Sequence, residues 1–208
     1  YKYDAIEETL KKLQENNFKG VIVIKSTVTP ETTFYLEEKY GIPLIHNPEF
    51  LTARTANEDF HNQKHIVLGR GKLVEDKEFY QVKDFYHKYY PKAEISVCSA
   101  LESESMKIFC NTFYAVKVQF FTELFLLTQK NGSNFEKIVE MMLRNKWINH
   151  MHTQIPGPDG QISYGGFCFP KDTNALNEYM RRLETPNSIL ENCIKERNEM
   201  RDDNTNCM

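Results

Sequence analysis

The sequence predicts an α/β domain that ends near residue 98, followed by an all-α unit from residue 99 built on one long helix. Three observations predict this order. Short β-branched runs alternate with amphipathic helical patterns through the first half. From Leu101 to Lys130 the chain holds neither Gly nor Pro, a helix of about thirty residues and roughly 45 Å. After that stretch only helical patterns and one polar loop remain.

The elements follow in order. Asp4 to Asn17 carries leucine and isoleucine at helical spacing among Glu and Lys. Val21-Ile22-Val23-Ile24, entered at Gly20, reads as a short buried strand, and helix then strand is half of a βαβ unit. Thr29 suits an N-cap and Pro30 the first helical position of a helix that reaches about Tyr40 and stops at Gly41. Pro43-Leu44-Ile45-His46 is the second strand and Ile66-Val67-Leu68-Gly69 the third. Glu75 to Tyr90 reads as a helix that ends before Pro91, and Ala93 to Cys98 as the fourth strand. The long helix has an apolar face of Phe109, Phe113, Val116, Phe120, Leu124 and Leu127, and Gly132 ends it. Ser133 to Glu136 fits a capping box for a helix from Phe135 to about Asn145. A polar loop runs from His150 to Pro170, and helices over Thr173–Glu184 and Ser188–Asp202 close the chain.

Composition narrows the function classes. The 208 residues carry a net charge of −3, with 40% hydrophobic and 26% charged residues. That balance argues against nucleic acid and anionic membrane partners. No apolar run reaches the roughly eighteen residues a membrane span needs. The start, Tyr1-Lys2-Tyr3-Asp4, is neither a signal peptide nor an initiator methionine, which predicts a chain cut from something longer. The cysteines Cys98, Cys110, Cys168, Cys193 and Cys207 are odd in number and form no CxxC pair. A disulfide framework and a zinc knuckle are both unsupported, so a reduced, cytoplasmic setting with a thiol free for chemistry is expected. His150 and His152 read as loop residues, and no metal site is predicted. The string GxGxxG is absent, since Gly69-Arg70-Gly71 lacks the third glycine.

Several residues have the chemistry of a site. Cys168 lies in Gly165-Gly166-Phe167-Cys168-Phe169-Pro170-Lys171-Asp172. Adjacent glycines admit a ligand close to the backbone, and Lys171 with a helix start favours a thiolate. A structural cysteine in a turn is the alternative. Asp172 is a candidate N-cap as well as a site residue. Lys107 and Asn111, four apart, share a helix face with Glu104. They make either a solvated polar stripe or a grip on an oxyanion. Glu49 follows Asn-Pro at a strand end, as a turn residue or a general base. Thr27 has the same place after the first strand, at the carboxyl edge where α/β sheets bind ligands.

These strings resemble the UDP-glucose/GDP-mannose dehydrogenase family. Lys25-Ser26-Thr27-Val28, Asn47-Pro48-Glu49-Phe50-Leu51, Glu104-x-x-Lys107-x-x-x-Asn111 and the Cys168 string stand in the family's order from Asp4 to about Asn198. The resemblance implies a partial Rossmann-type NAD-binding domain over 1–98 and a central helical dimerisation domain over 99–208. It implies NAD-dependent, four-electron oxidation of a nucleotide sugar C6 alcohol to the uronic acid. Cys168 would trap the aldehyde as a thiohemiacetal that becomes a thioester, and Glu49 would be the base for its hydrolysis. Lys107 would stabilise charge on the sugar oxygen. Asn111, Asp172 and Thr27 would position that oxygen and water. Phe50, Leu51, Gly165 and Gly166 would contact the substrate, and Thr27 and Lys171 the cofactor. The helix 101–130 would form a homodimer.

Local departures from the family leave the sugar and base open. Thr52-Ala53-Arg54 stands where Arg/Ala-Glu-Gly is usual, and His65 where an arginine is frequent. Trp147 replaces an arginine that contacts substrate across the dimer, and the loop Pro156-Gly157-Pro158-Asp159-Gly160 is longer. Two other readings are a non-catalytic dimerisation remnant of such an enzyme and a different dehydrogenase with a similar helical dimer. The second would have no catalytic cysteine in this string.

Overall fold

A computed structural model describes residues 3–52, 54–201 and 203. The chain divides into two compact units, Tyr1–Ile108 and Phe109–Met208.

The first unit contains α1 (Asp4–Glu15), β1 (Ile22–Ile24), α2 (Thr32–Tyr40), β2 (Leu44–His46), α3 (Ala56–His61), β3 (His65–Arg70), α4 (Asp76–Tyr89) and β4 (Glu94–Ser99). The four strands lie in the order β1-β2-β3-β4. The outer pairs are parallel, and β2 meets β3 antiparallel through Ile45↔Arg70 and His46↔Gly69. Neighbouring strand residues face opposite cores. Leu44 packs with Leu10, Ile24 and Leu36, whereas Ile45 packs with Ile66, Leu68, Phe79 and Val82. Helices therefore cover both faces of the sheet, which is why its strands read as continuous apolar runs rather than as alternation.

Locally the first unit differs from expectation at two helices. Thr29 and Pro30 do not open α2. The N-cap position is Glu31, left-handed at φ 78°, with no side-chain cap of its own. α3 has no counterpart among the expected elements, because its six residues bury nothing and so have no apolar face to detect. By contrast, α4 starts at Glu75 with a capping box closed by Glu78, as the helical reading from Glu75 expects.

β4 passes directly into α5 (Ala100–Asn131), 32 residues that begin in the first unit and continue in the second. The second unit adds α6 (Phe135–Arg144), α7 (Phe169–Arg182) and α8 (Ser188–Met200). Its core gathers Phe121, Phe135, Val139 and Ile155, with a second cluster of Ala115, Tyr164 and Cys193. The cap of α6 is Asn134, whose side chain accepts from Lys137 N at 2.7 Å; Ser133 instead bonds Asn131. α7 begins four residues before the expected Thr173, with Pro170 in its first turn and Cys168 as N-cap. Asp172 is thus inside the first turn rather than the cap. α8 ends at Met200; Asp202 and Cys207 lie outside the described residues. No described helix is long and apolar enough to cross a membrane.

Candidate active site

In the first unit the candidate residues gather where β1 and β2 end. Asn47, directly after β2, is buried and ties three elements. Its amide donates to Val67 O at 2.7 Å, and its Oδ1 accepts from Lys25 Nζ at 2.6 Å and Tyr86 OH at 2.5 Å. This locks the turn that carries Glu49. The Glu49 carboxylate accepts from Leu51 N at 2.7 Å and lies 3.7 Å from Lys107 Nζ, which also donates to Glu49 O at 2.5 Å. The same ammonium sits 5.0 Å from the Phe50 ring centroid, and Phe50 stacks on His65 at 6.0 Å. Lys107, Glu49 and Phe50 are therefore one cluster.

Thr27 is half-buried in the turn from Lys25 to Glu31, which is held at both ends by α5. At one end His46 bridges Ser26 O at 3.3 Å and Ser103 Oγ at 2.8 Å. At the other, the Glu104 carboxylate accepts from Glu31 N at 2.8 Å, Thr33 N at 2.7 Å and Thr33 Oγ1 at 2.6 Å. Glu104 is thus the N-terminal cap that α2 lacks locally, a carboxylate placed at the positive end of a helix. Burial pushes its carboxyl up to about 7 against those hydrogen bonds, and burial pushes the His46 imidazole down to about 4. Burial likewise lowers Lys25, with Glu49 opposing it.

In the second unit Cys168 is exposed at the N-cap of α7, and its carbonyl accepts from Asp172 N at 2.9 Å. One turn on, the fully buried Asp172 carboxylate accepts from Asn111 Nδ2 at 2.6 Å and pairs with Lys171 Nζ at 2.5 Å. The two glycines before Cys168 have different reasons to be glycine. Gly166 has φ +77° and open space around it, whereas a Cβ on Gly165 would run into the Arg201 guanidinium. Leu51 is half-buried on the Glu49 loop of the first unit.

The polar residues of α5 are not a solvated stripe. Glu104 is 1%, Lys107 6% and Asn111 8% exposed, while Phe109, Phe113, Phe120 and Leu127 of the apolar face are each more than half exposed. Sequence reasoning missed Asn47, His46, Ser103, Arg197 and Arg201 as organisers. The first two left a usable signal, polar residues at the mouth of an apolar strand; the others look like ordinary helix positions. Among the described residues no group of three His, Cys, Asp or Glu could hold a metal ion.

The turn from Lys25 to Glu31, at the carboxyl end of a parallel strand, suits a dinucleotide, which binds at that edge of α/β sheets. The Ser26 carbonyl is held by the buried His46 ring, and Thr27 beside it is half-buried; no GxGxxG string for a pyrophosphate stands within the 208 residues.

Residues 1–89 match the NAD binding domain of the UDP-glucose/GDP-mannose dehydrogenase family, and residues 101–199 match its central domain. The chain belongs to this family. It is 30% identical over 200 residues to a UDP-glucose 6-dehydrogenase of Campylobacter jejuni, covering 95% of this chain and 48% of that protein. It is 32% identical over 209 residues to a UDP-glucose 6-dehydrogenase of Rickettsia bellii, covering 96% and 45%. Among solved structures, a UDP-glucose dehydrogenase from the archaeon Pyrobaculum islandicum superposes with a TM-score of 0.80 at 27% identity, over 95% of this chain and 46% of that one. The chain spans about half the length of the curated relatives it matches. The family assignment and the NAD-binding fold agree with the resemblance drawn from the motifs.

Proposed function

We propose that this chain carries catalytic residues for the NAD-dependent oxidation of a nucleotide sugar's C6 alcohol to a carboxylate, with UDP-glucose as the first substrate to test. The observation that carries the reading is Cys168, exposed at the start of α7 one turn from the buried Asp172–Asn111 pair. An exposed thiol at a helix N-terminus sits at the positive end of the helix dipole, which stabilises negative charge on an adduct.

NAD, when bound, supplies the acceptor for both hydrides. The residues of the chain supply the rest. Cys168 Sγ bonds to C6 of the intermediate aldehyde as the C=O π bond breaks, and the thiol proton passes to the former carbonyl oxygen, which becomes the thiohemiacetal hydroxyl. Once that adduct is oxidised, the Sγ–C6 bond is a thioester, activated toward water. Glu49 takes a proton from the attacking water, and cleavage of the thioester returns the thiol. Lys107, its ammonium buried against Glu49, stabilises the developing oxyanion. Asn111, oriented by Asp172, donates to the sugar oxygen, and Thr27 holds water and cofactor. Phe50, Leu51, Gly165 and Gly166 contact the sugar nucleotide, and Lys171 aids the cofactor.

We also propose that two copies pair along α5. Phe109, Phe113, Phe120 and Leu127 recur on one helix face and are each more than half exposed, and clustered exposed apolar side chains mark surfaces that partners cover. A cyclic pair would cover it with a second copy of itself.

The test is the complete protein incubated with UDP-glucose and NAD. Two NADH per sugar and a uronic acid product support the reading. No turnover with any nucleotide sugar overturns it.

A further inference from the structure

We propose that Arg197 and Arg201 of α8 brace the segment Ile162–Gly165 and so place Cys168, and that residue 165 is glycine because the Arg201 guanidinium occupies the space of a side chain. Both arginines are positioning residues, and the inference rests on the reading of Cys168 as the nucleophile.

Each guanidinium is nearly fully buried, with 3% of its side chain exposed. A buried charge persists only where partners replace its water. Arg201 donates from Nη1 to Ile162 O at 3.2 Å and Ser163 O at 3.3 Å, from Nη2 to Asp159 Oδ2 at 2.6 Å, and from Nε to the Asp203 carboxylate at 3.0 and 3.1 Å. Arg197 donates from Nε to Tyr164 O at 3.1 Å and from Nη2 to Asp203 Oδ1 at 2.5 Å. Three consecutive carbonyls, 162 to 164, are thereby fixed to one face of α8. The planar fork of arginine can serve two carbonyls and a carboxylate together, and lysine cannot.

Gly165 follows those carbonyls. Its φ is not in the left-handed region, so no backbone conformation demands glycine there; the guanidinium of Arg201 does. Asp159 belongs to the Pro156–Gly160 loop and closes the brace from outside. Cys168 is then held from both directions, by this segment before it and by α7 after it.

A double-mutant cycle of G165A, R201K and G165A/R201K in the intact protein tests the brace. One readout is amide exchange over residues 162–168 without substrate. The other is the pH–rate profile of Cys168 alkylation by iodoacetamide, resolved by peptide mass spectrometry, with Cys110 as internal control. Each single variant should raise exchange in that segment by roughly tenfold or more, because each removes bonds from a charged donor. Each should alter the Cys168 profile and leave that of Cys110 unchanged. The double variant should be no worse than the worse single, because both changes break the same bonds. Losses that multiply would show Gly165 and Arg201 acting independently and overturn the brace. So would unchanged exchange in R201K, which decides alone if G165A does not fold. Failure of the nucleophile reading shows separately: the brace variants respond as stated while C168S oxidises substrate at the normal rate.

Discussion

Asn111 donates its side-chain amide to the Asp172 carboxylate at 2.6 Å, and both groups are buried. One comes from the middle of a long helix and the other from the first turn of α7, 61 residues on. N111A leaves a buried carboxylate with one partner fewer. The expected loss is about 1–3 kcal/mol of stability, read by urea denaturation. N111D sets two carboxylates against each other in a buried site and should cost more than N111A. A fully stable N111A would show that the bond contributes nothing to holding α7.

Glu104 and His46 give stability opposite dependences on pH. Burial raises the Glu104 carboxyl from 4.5 to about 7, so the folded chain binds its proton more tightly than the unfolded one. Its contribution is full below about 4.5 and is lost as pH rises through about 7. His46 is lowered from 6.5 to about 4, chiefly by burial, with Lys25 and Lys107 adding to the shift and the bond to Ser26 O opposing it. Its contribution is full above 6.5 and is lost as pH falls through about 4. Each is worth on the order of 3 kcal/mol, and over the shared window they offset each other. E104Q removes the Glu104 share, so its stability should fall more steeply than the wild type's as pH drops from 6.5 to 4. H46Q should lose stability as pH rises from 4.5 to 7. Parallel stability curves for all three proteins would contradict this account.

The exposed ladder on α5 makes a prediction about assembly. F113D and F120D place charges on side chains that are already more than half exposed. Within one chain they should change stability by no more than about 0.5 kcal/mol. Between two chains they should break pairing and shift the sedimentation mass from two copies to one. A wild-type chain that sediments as a monomer at high concentration would remove the proposed dimer.

Much of the fold was legible because its signals are local. Val21–Ile24, Ile66–Gly69 and the Gly- and Pro-free run of α5 announce themselves by β-branching and length. What stayed hidden depends on distant partners. Thr29-Pro30 has the form of a helix start, yet α2 opens at Glu31 because Glu104, 73 residues away, provides the acceptor. Cys168-Phe169-Pro170 could be read as the tail of a loop, since a proline at the front of a helix looks the same as one before it. The site residues were found as types and spacings. Their burial was not: Glu104, Lys107 and Asn111 read as a wet stripe by polarity, while the phenylalanines beside them read as core. The inversion follows from what each face meets, which periodicity does not encode.

The role of Cys168 is the central claim, and C168S in the complete protein tests it most directly. The quantity to measure is NADH formed per nucleotide sugar in a single-turnover experiment with UDP-glucose. The wild type should give two. C168S keeps the helix start but lacks a nucleophile able to carry the thioester, so it should stall without completing the four-electron oxidation and release no uronic acid. Two NADH per sugar at the wild-type rate from C168S would contradict the mechanism.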